Sequence, residues 1–394
     1  MRSLALVSAV AATVLAAPAF ASTPVIDGTA EALYGAPLVV QGVQTGFGDA
    51  NLGQPLFANG SELNAAFGLV SNGKLFLTFA GNLESNFNKL EVFFDTIAGG
   101  QNKLRGDNAD VDFNGLNRMG DDGSGNGLRF DDGFEADFYL TVTGGDVGGG
   151  TYRLFSNFAT LPTGGNGVGT FLGGSDPNTG LLVGALGITI AIDNSNTAGV
   201  GFGSGAASGA GVNTGIEIEI PLALIGSPTG NFRITAFING QGHDFLSNQV
   251  LAPIPPDNFN LGEPRNVNFA DIPGDQFFTI VQGPSFILGD FNFDGIFDSD
   301  DIDPFLEALL EDTPYANFIA AYGSLFTAQY GGTLTPELVV AFGDFDSNSI
   351  FDAEDVDLFV SAVLSARPGA SSIPEPAMLG LLAPAALLLS RRRR

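Results

Sequence analysis

The sequence predicts a mainly β protein: an antiparallel β-sandwich of jelly-roll type over residues 22–285, followed by a small α-helical domain over residues 286–368. Three observations predict it. Short runs alternating apolar and polar residues recur from Ser22 to Gly283, separated by Gly, Asn, Asp and Pro. The chain carries 55 glycines with no collagen period, which read as turns between short strands. After Gly283 the apolar spacing becomes helical, and no Lys, Arg or His occurs from Asn266 to Ala366.

The strands follow in order. Leu75, Leu77 and Phe79 alternate with Phe76 and Thr78. Leu90, Val92 and Phe94 alternate with Glu91 and Phe93. Phe138, Leu140 and Val142 alternate with Asp137, Tyr139 and Thr141. Ile216, Ile218 and Ile220 alternate with Glu217 and Glu219, and Phe232, Ile234, Ala236 and Ile238 with Arg233 and Thr235. Period-two alternation assigns one set to a core face and the other to the outside. Many strands and few helical patterns indicate a sandwich. Residues 144–150 and 199–214 read as loops. In the second domain Ile302, Phe305, Leu306, Leu309 and Leu310 fall at i, i+3, i+4, i+7 and i+8. Val356, Phe359, Val360, Val363 and Leu364 repeat that spacing, and Tyr315, Phe318, Ile319, Tyr322 and Phe326 suggest a helix between them. This is an internal duplication.

Composition narrows the function. The 394 residues hold 15 Lys+Arg against 43 Asp+Glu, a net charge of −28. Nucleic acid is excluded as a partner, because its binding depends on cationic side chains. A cation is attractive instead. There is no cysteine and one histidine, His243, which removes disulfides, thiol catalysis, iron–sulfur sites and Cys/His zinc sites.

The duplication carries the clearest chemistry. One copy runs from Gly289-Asp290-Phe291-Asn292-Phe293-Asp294-Gly295 to Asp301, the other from Gly343-Asp344-Phe345-Asp346-Ser347-Asn348-Ser349 to Asp355. Oxygen-bearing side chains stand at loop positions 1, 3, 5, 9 and 12 of both. At position 7 stand Ile296 and Ile350, whose carbonyls are the expected ligands and whose side chains are expected to pack inward. A hard, large cation takes six to eight oxygens from one compact loop, with glycine near position 6 for the sharp turn. Gly295 fits that role. Ser349 departs from it, which predicts a strained or weaker second loop. Magnesium suits the pattern less, since it keeps its waters. Two Ca²⁺ sites are expected, and a domain that is loose without calcium.

These residues resemble the type I dockerin repeat, a loop-plus-helix unit related to the EF-hand. The resemblance implies ligands Asp290, Asn292, Asp294, Ile296 (carbonyl), Asp298 and Asp301 in the first site. In the second it implies Asp344, Asp346, Asn348, Ile350 (carbonyl), Asp352 and Asp355. It also implies a protein partner, met at loop positions 10 and 11. Here those are Ser299-Asp300 and Ala353-Glu354, which do not match each other, and the loops start 54 residues apart, longer than the compact family pattern. Both departures bear on cohesin binding more than on calcium.

No catalytic residue is assigned in the sandwich. His243 lacks a Gly-x-Ser-x-Gly elbow and reads as a loop or structural histidine. Glu84, Glu91, Asp95, Asp137, Glu217 and Glu219 are carboxylates from which a glycoside-hydrolysing pair could come, without a catalytic context. Glu217 and Glu219 read as a solvated strand face. The acidic segment Asp107–Asp137 reads as a solvated loop rather than a further calcium site. Val25-Ile26-Asp27-Gly28-Thr29 and Glu217-Ile218-Glu219-Ile220-Pro221 weakly resemble family-9-like carbohydrate-binding sandwiches. Such modules stack sugars on Trp; this chain has none, so Tyr34, Tyr139 or Tyr152 would substitute.

Both ends read as addresses. Residues 1–21 carry Arg2, a short apolar run and Ala19-Phe20-Ala21, so a secretory signal is cleaved between Ala21 and Ser22. Residues 373–394 carry Pro374-Glu375-Pro376, an apolar run broken by Pro384, and Arg391–Arg394. That run is short for a stable span, so membrane association would be transient. The order and position resemble the PEP-CTERM sorting signal of exported proteins of Gram-negative-type bacteria, which implies processing by an exosortase. The expectation is an exported, non-enzymatic, calcium-stabilised protein, structural or adhesive, at the cell surface or in the extracellular matrix. The alternatives are a polysaccharide-degrading enzyme or a non-catalytic carbohydrate-binding protein.

Overall fold

Residues 23–112, 115–281, 287–311, 313–330, 333–345 and 350–366 are described by the structure, a computed structural model. The signal cleavage at Ala21 and Ser22, the sorting residues Pro374, Glu375 and Pro376, and the candidate ligands Asp346 and Asn348 lie outside the described residues. The chain divides into two compact units near residue 283. The first is two antiparallel β-sheets, and the second is a small helical region, as the sequence predicts.

In the first unit, β1 (Val39–Val40), β2 (Glu62–Ser71), β3 (Lys74–Asn82), β4 (Asn86–Asp95), β5 (Phe138–Asp146), β6 (Tyr152–Thr160) and β7 (Gly169–Gly174) come first. β8 (Leu181–Val183), β9 (Thr189–Ile192), β10 (Gly215–Pro221), β11 (Phe232–Asn239), β12 (Leu246–Leu251) and β13 (Phe278–Ile280) follow. One sheet has the order β1-β2-β3-β10-β9-β8, the other β12-β11-β4-β5-β6-β7 with β13 beside β11. Asn72 and Gly73, both left-handed, close the β2–β3 hairpin between the paired Ser71 and Lys74.

The predicted alternation places the first core. Leu75, Leu77 and Phe79 of β3 and Ile216, Ile218 and Ile220 of β10 meet Leu90, Val92 and Phe94 of β4 and Ile234, Ala236 and Ile238 of β11. Burying each large apolar side chain is worth roughly 1.5–3 kcal/mol. The opposite set is not outside, however. Phe93, Tyr139 and Phe237 are fully buried in a second core with Leu104, Leu128, Phe130, Phe134 and Phe269. The segment read as a solvated acidic loop supplies much of this cover: Leu116, Met119, Leu128, Phe130 and Phe134 turn inward, and Asp131 and Asp137 are buried with them. On the other sheet Glu217 is also fully buried, correcting the solvated reading, because residues 27–34 lie over it.

The second unit holds α1 (Ile302–Leu310), α2 (Ala316–Tyr330), α3 (Pro336–Gly343) and α4 (Asp355–Ala366). The short α3 has no counterpart in the sequence reading; the Thr335 side chain caps it and Pro336 opens it. No helix among the described residues is long and apolar enough to cross a membrane.

The second core makes a specific demand. Phe93→Ala should destabilise the sandwich by about 3–5 kcal/mol in guanidinium unfolding, whereas Phe259→Ala, at a side chain 71% exposed, should stay within ~0.5 kcal/mol. Equal effects would mean that the outer sheet face is not packed as described.

Candidate functional site

The first acidic loop is ordered by its own backbone. The fully buried Asp290 carboxylate accepts from the Asp294 N–H at 3.2 Å and the Gly295 N–H at 2.9 Å. Asn292 accepts from the Asp294 N–H, and Asp294 from the Ile296 N–H. Asp301, also buried, accepts from the Asn292 N–H at 3.0 Å and the Asp298 N–H at 2.9 Å. Asp298 in turn accepts from the Asp300 N–H and starts the turn into α1. Gly295 sits at φ +83°, the left-handed turn its position calls for. The second loop repeats the frame where it is described. Buried Asp355 accepts from the Phe345 and Asp352 N–H groups at 2.7 and 2.9 Å, and Asp352 accepts from the Glu354 N–H.

The loops also pack as a reciprocal pair. Position 2 of each meets position 8 of the other: Phe291 lies 5.4 Å from Phe351, and Phe345 lies 6.1 Å from Phe297. The equivalent Phe305 and Phe359 stack at 3.8 Å. One expectation fails here. Ile296 and Ile350 are 59% and 57% exposed rather than packed inward, because this aromatic set already fills the space between the loops.

The donor set fits calcium in kind and order. Burial, reinforced by the Asp290 charge, raises the Asp301 carboxyl to about 6, and the stretch from Asn266 to Ala366 offers no basic side chain to neutralise the pair. Among the described residues no group of three or more His, Asp or Glu side chains is already arranged around a metal position. The loop amides hold the carboxylates instead.

The sandwich contains a constellation that sequence reasoning missed. His243 is fully buried, with Nδ1 2.7 Å from Glu91 Oε1. The Tyr139 hydroxyl donates to the other Glu91 oxygen at 2.5 Å, and the Asn239 amide donates to Oε1. Nε2 of His243 has no hydrogen-bond partner and stands 3.6 Å from Asp112 Oδ2. Lys89, 2% exposed, pairs with the same Asp112 oxygen at 2.8 Å. Burial alone would lower the His243 pKa, but Glu91 and Asp112 outweigh it and hold the imidazolium to about 9. Burial and the Glu91 charge push the Tyr139 phenol well above its ordinary value, so it stays a donor. His243 is therefore a satisfied structural histidine on its Glu91 side, as its context suggests.

A cavity of about 470 Å³ opens beside this network, on the outer face of the seven-stranded sheet. Lys89 and Asp112 form one wall, and Thr143, Phe155 and Asn157 are among the other lining residues. The three tyrosines proposed for sugar stacking are elsewhere and buried: Tyr34 donates to Glu217, Tyr139 to Glu91, and Tyr152 lies in the first core. Of the carboxylates proposed for hydrolysis, Asp95 and Asp137 are neighbours: burial, with the Asp137 charge adding to it, raises the Asp95 carboxyl to about 6. Glu217 accepts from the Asp27 and Gly28 N–H groups as well as Tyr34. Asp137 accepts from the Thr96 and Ile97 N–H groups, and Glu219 pairs with Lys74. No protein-family model, curated protein or solved structure matches this chain.

The network sets a pH dependence. A folded histidine pKa of about 9, above the ordinary ~6.5, stabilises the fold fully below pH ~6.5, and that contribution is lost as pH rises toward 9. At ~1.4 kcal/mol per unit the loss is about 3 kcal/mol. Glu62, raised by burial to about 7, acts in the same direction between its ordinary value and pH 7. Unfolding midpoints should fall from pH 6 to 9, and His243→Gln should flatten the upper half of that slope. An unchanged slope would place the titration elsewhere.

Proposed function

We propose that the protein is exported and serves at the cell surface or in the extracellular matrix as a non-enzymatic, structural or adhesive component whose helical unit is stabilised by calcium. The observation that carries the calcium part is the duplicated loop frame, in which Asp301 and Asp355 are buried and held alike by backbone amides. Calcium would supply the positive charge that these loops lack. In the first loop Asp290, Asn292, Asp294, the Ile296 carbonyl, Asp298 and Asp301 would hold it. In the second the described candidates are Asp344, the Ile350 carbonyl, Asp352 and Asp355. The dockerin resemblance further suggests a protein partner for this unit.

Export rests on the two ends of the sequence: the leader, and the tail that resembles an exosortase-processed sorting signal. The non-enzymatic side is supported by the state of two of the candidate carboxylates. Glu91 and Glu217 are fully buried and bonded on both oxygens, which removes them from general acid or base work on an external substrate.

Calcium removal tests the reading. At a free concentration 100 times Kd, each site contributes about 2.7 kcal/mol, worth roughly 10 °C or more in the melting of so small a unit. Chelation of the full chain should therefore lower its helical circular dichroism and helical melting temperature, with recovery on adding Ca²⁺, and Asp290→Ala with Asp344→Ala should abolish the response. Helical signal and melting indifferent to chelator would overturn the proposal.

A further inference from the structure

The outer face of the seven-stranded sheet is only half covered. Over β11 and β4 the second core lies on top of Phe237 and Phe93. Ala159 of β6 still lies in this core and Val111 packs on Gly169 of β7, but toward Phe155 and Phe171 the cavity beside Lys89 opens. Strand register sets two adjacent rows across its floor. Lys89, Thr143 and Phe155 are direct neighbours on β4, β5 and β6, and Asn157 faces Phe171 from β6 to β7.

Three features of this cavity are unexplained by folding. Asn157 is 4% exposed, and its side-chain amide, which no hydrogen bond among the described residues reaches, opens to the cavity rather than to a protein partner. Phe171 lines the same space with 60% of its surface exposed, on a strand otherwise rich in glycine. Phe87 and Asp112 in the lining, and His243 behind it, all hold left-handed backbone at φ +70°, +67° and +53°. Such conformations are costly away from glycine and gather where side chains must be aimed.

The lining chemistry names a ligand class. Lys89 and Asp112 pair with each other, so the cavity offers no net charge to select an ion. The side-chain amides of Asn157 and of the exposed Gln241 line the cavity and suit a ligand with hydroxyl groups. The open Phe171 ring offers a flat apolar surface to C–H groups, which its negative face attracts. Arg153 already covers one face of Phe155, at 5.4 Å, leaving Phe171 as the free platform. A volume of about 470 Å³ lies in the range that takes one or two sugar rings. We infer that this cavity is a binding site for a neutral carbohydrate, with Phe171 stacking on a ring and Asn157 and Gln241 reading its hydroxyls. His243, Glu91 and Tyr139 act as positioning residues that hold the Lys89–Asp112 wall. The inference rests on the adhesive reading only for the export that brings the sheet to polysaccharide; the binding itself belongs to the sandwich alone.

The test uses the full chain and calorimetric titration, since the protein has no tryptophan to report binding. The probes are cellotetraose, mannotetraose and maltotetraose, with tetragalacturonate as the charged counterpart. At least one neutral tetrasaccharide should bind saturably below about 10 mM, equally with calcium or with chelator. Phe171→Ala and Asn157→Ala should each weaken binding roughly tenfold or more, the former without changing the melting temperature, while Phe259→Ala changes nothing. No neutral binding, binding indifferent to both cavity variants, or preference for tetragalacturonate would each overturn the site. None of these results bears on the response of the helical unit to chelation, so the two readings fail separately.

Discussion

The constraint on which this structure depends is the disposal of buried negative charge. With 15 basic side chains for 43 acidic ones, most carboxylates cannot be matched by an ion pair. Those on the surface need no match, but Glu91, Glu217, Asp290, Asp301 and Asp355 are fully buried. A buried carboxylate is tolerated only when donors surround it. The fold meets this in two ways. Neutral donors do most of the work: backbone N–H groups at Glu217 and the loop aspartates, and the Tyr34 and Tyr139 hydroxyls. Where the sheet buries Glu91 and Asp112 together, the cations come as well. The chain's single histidine and one of its few lysines are placed there, with almost no exposed surface.

That placement ties the sandwich together from distant parts of the sequence. Glu91 stands on β4, Tyr139 on β5, His243 in the turn after β11, and Asp112 in the long cover between β4 and β5. Losing Glu91, His243 or Asp112 would leave a charge buried without its partner, which costs about 3–5 kcal/mol. The same cluster ends the covered half of the sheet. Beyond it no described residue closes over Phe155 and Phe171, so the groove follows from the fold's way of anchoring its cover.

How much of this was legible follows from what periodicity can encode. The two sheets and the inner core were, because Leu75 to Phe79, Leu90 to Phe94 and Ile216 to Ile220 repeat with period two. The burial of the opposite face was not. Phe93, Tyr139 and Phe237 stand at positions that alternation assigns to the outside, and only the apolar residues scattered through 104–134 show what covers them. Two signals were available: aromatic residues on both faces of β4, and Leu and Phe recurring within an acidic segment. Glu217 misled for the same reason, since a glutamate between isoleucines looks solvated until Asp27, Gly28 and Tyr34 are folded onto it. Phe171 and Asn157 gave no sign, because a cavity made by strand register and the edge of a cover has no local motif. The two acidic loops are the opposite case: their oxygen-bearing residues are contiguous, so residue order alone laid them out.

The helical unit shows why a duplication is more than two copies. Each loop's position 2 aromatic is completed by the other loop's position 8 aromatic, and the equivalent Phe305 and Phe359 stack face to face between α1 and α4. Neither loop has a core of its own. Ordering one loop fixes half of the rings that the other packs against, so the second loop orders at a smaller entropic cost. The duplication thus joins two acidic segments, each self-repelling, through an aromatic surface that carries no charge.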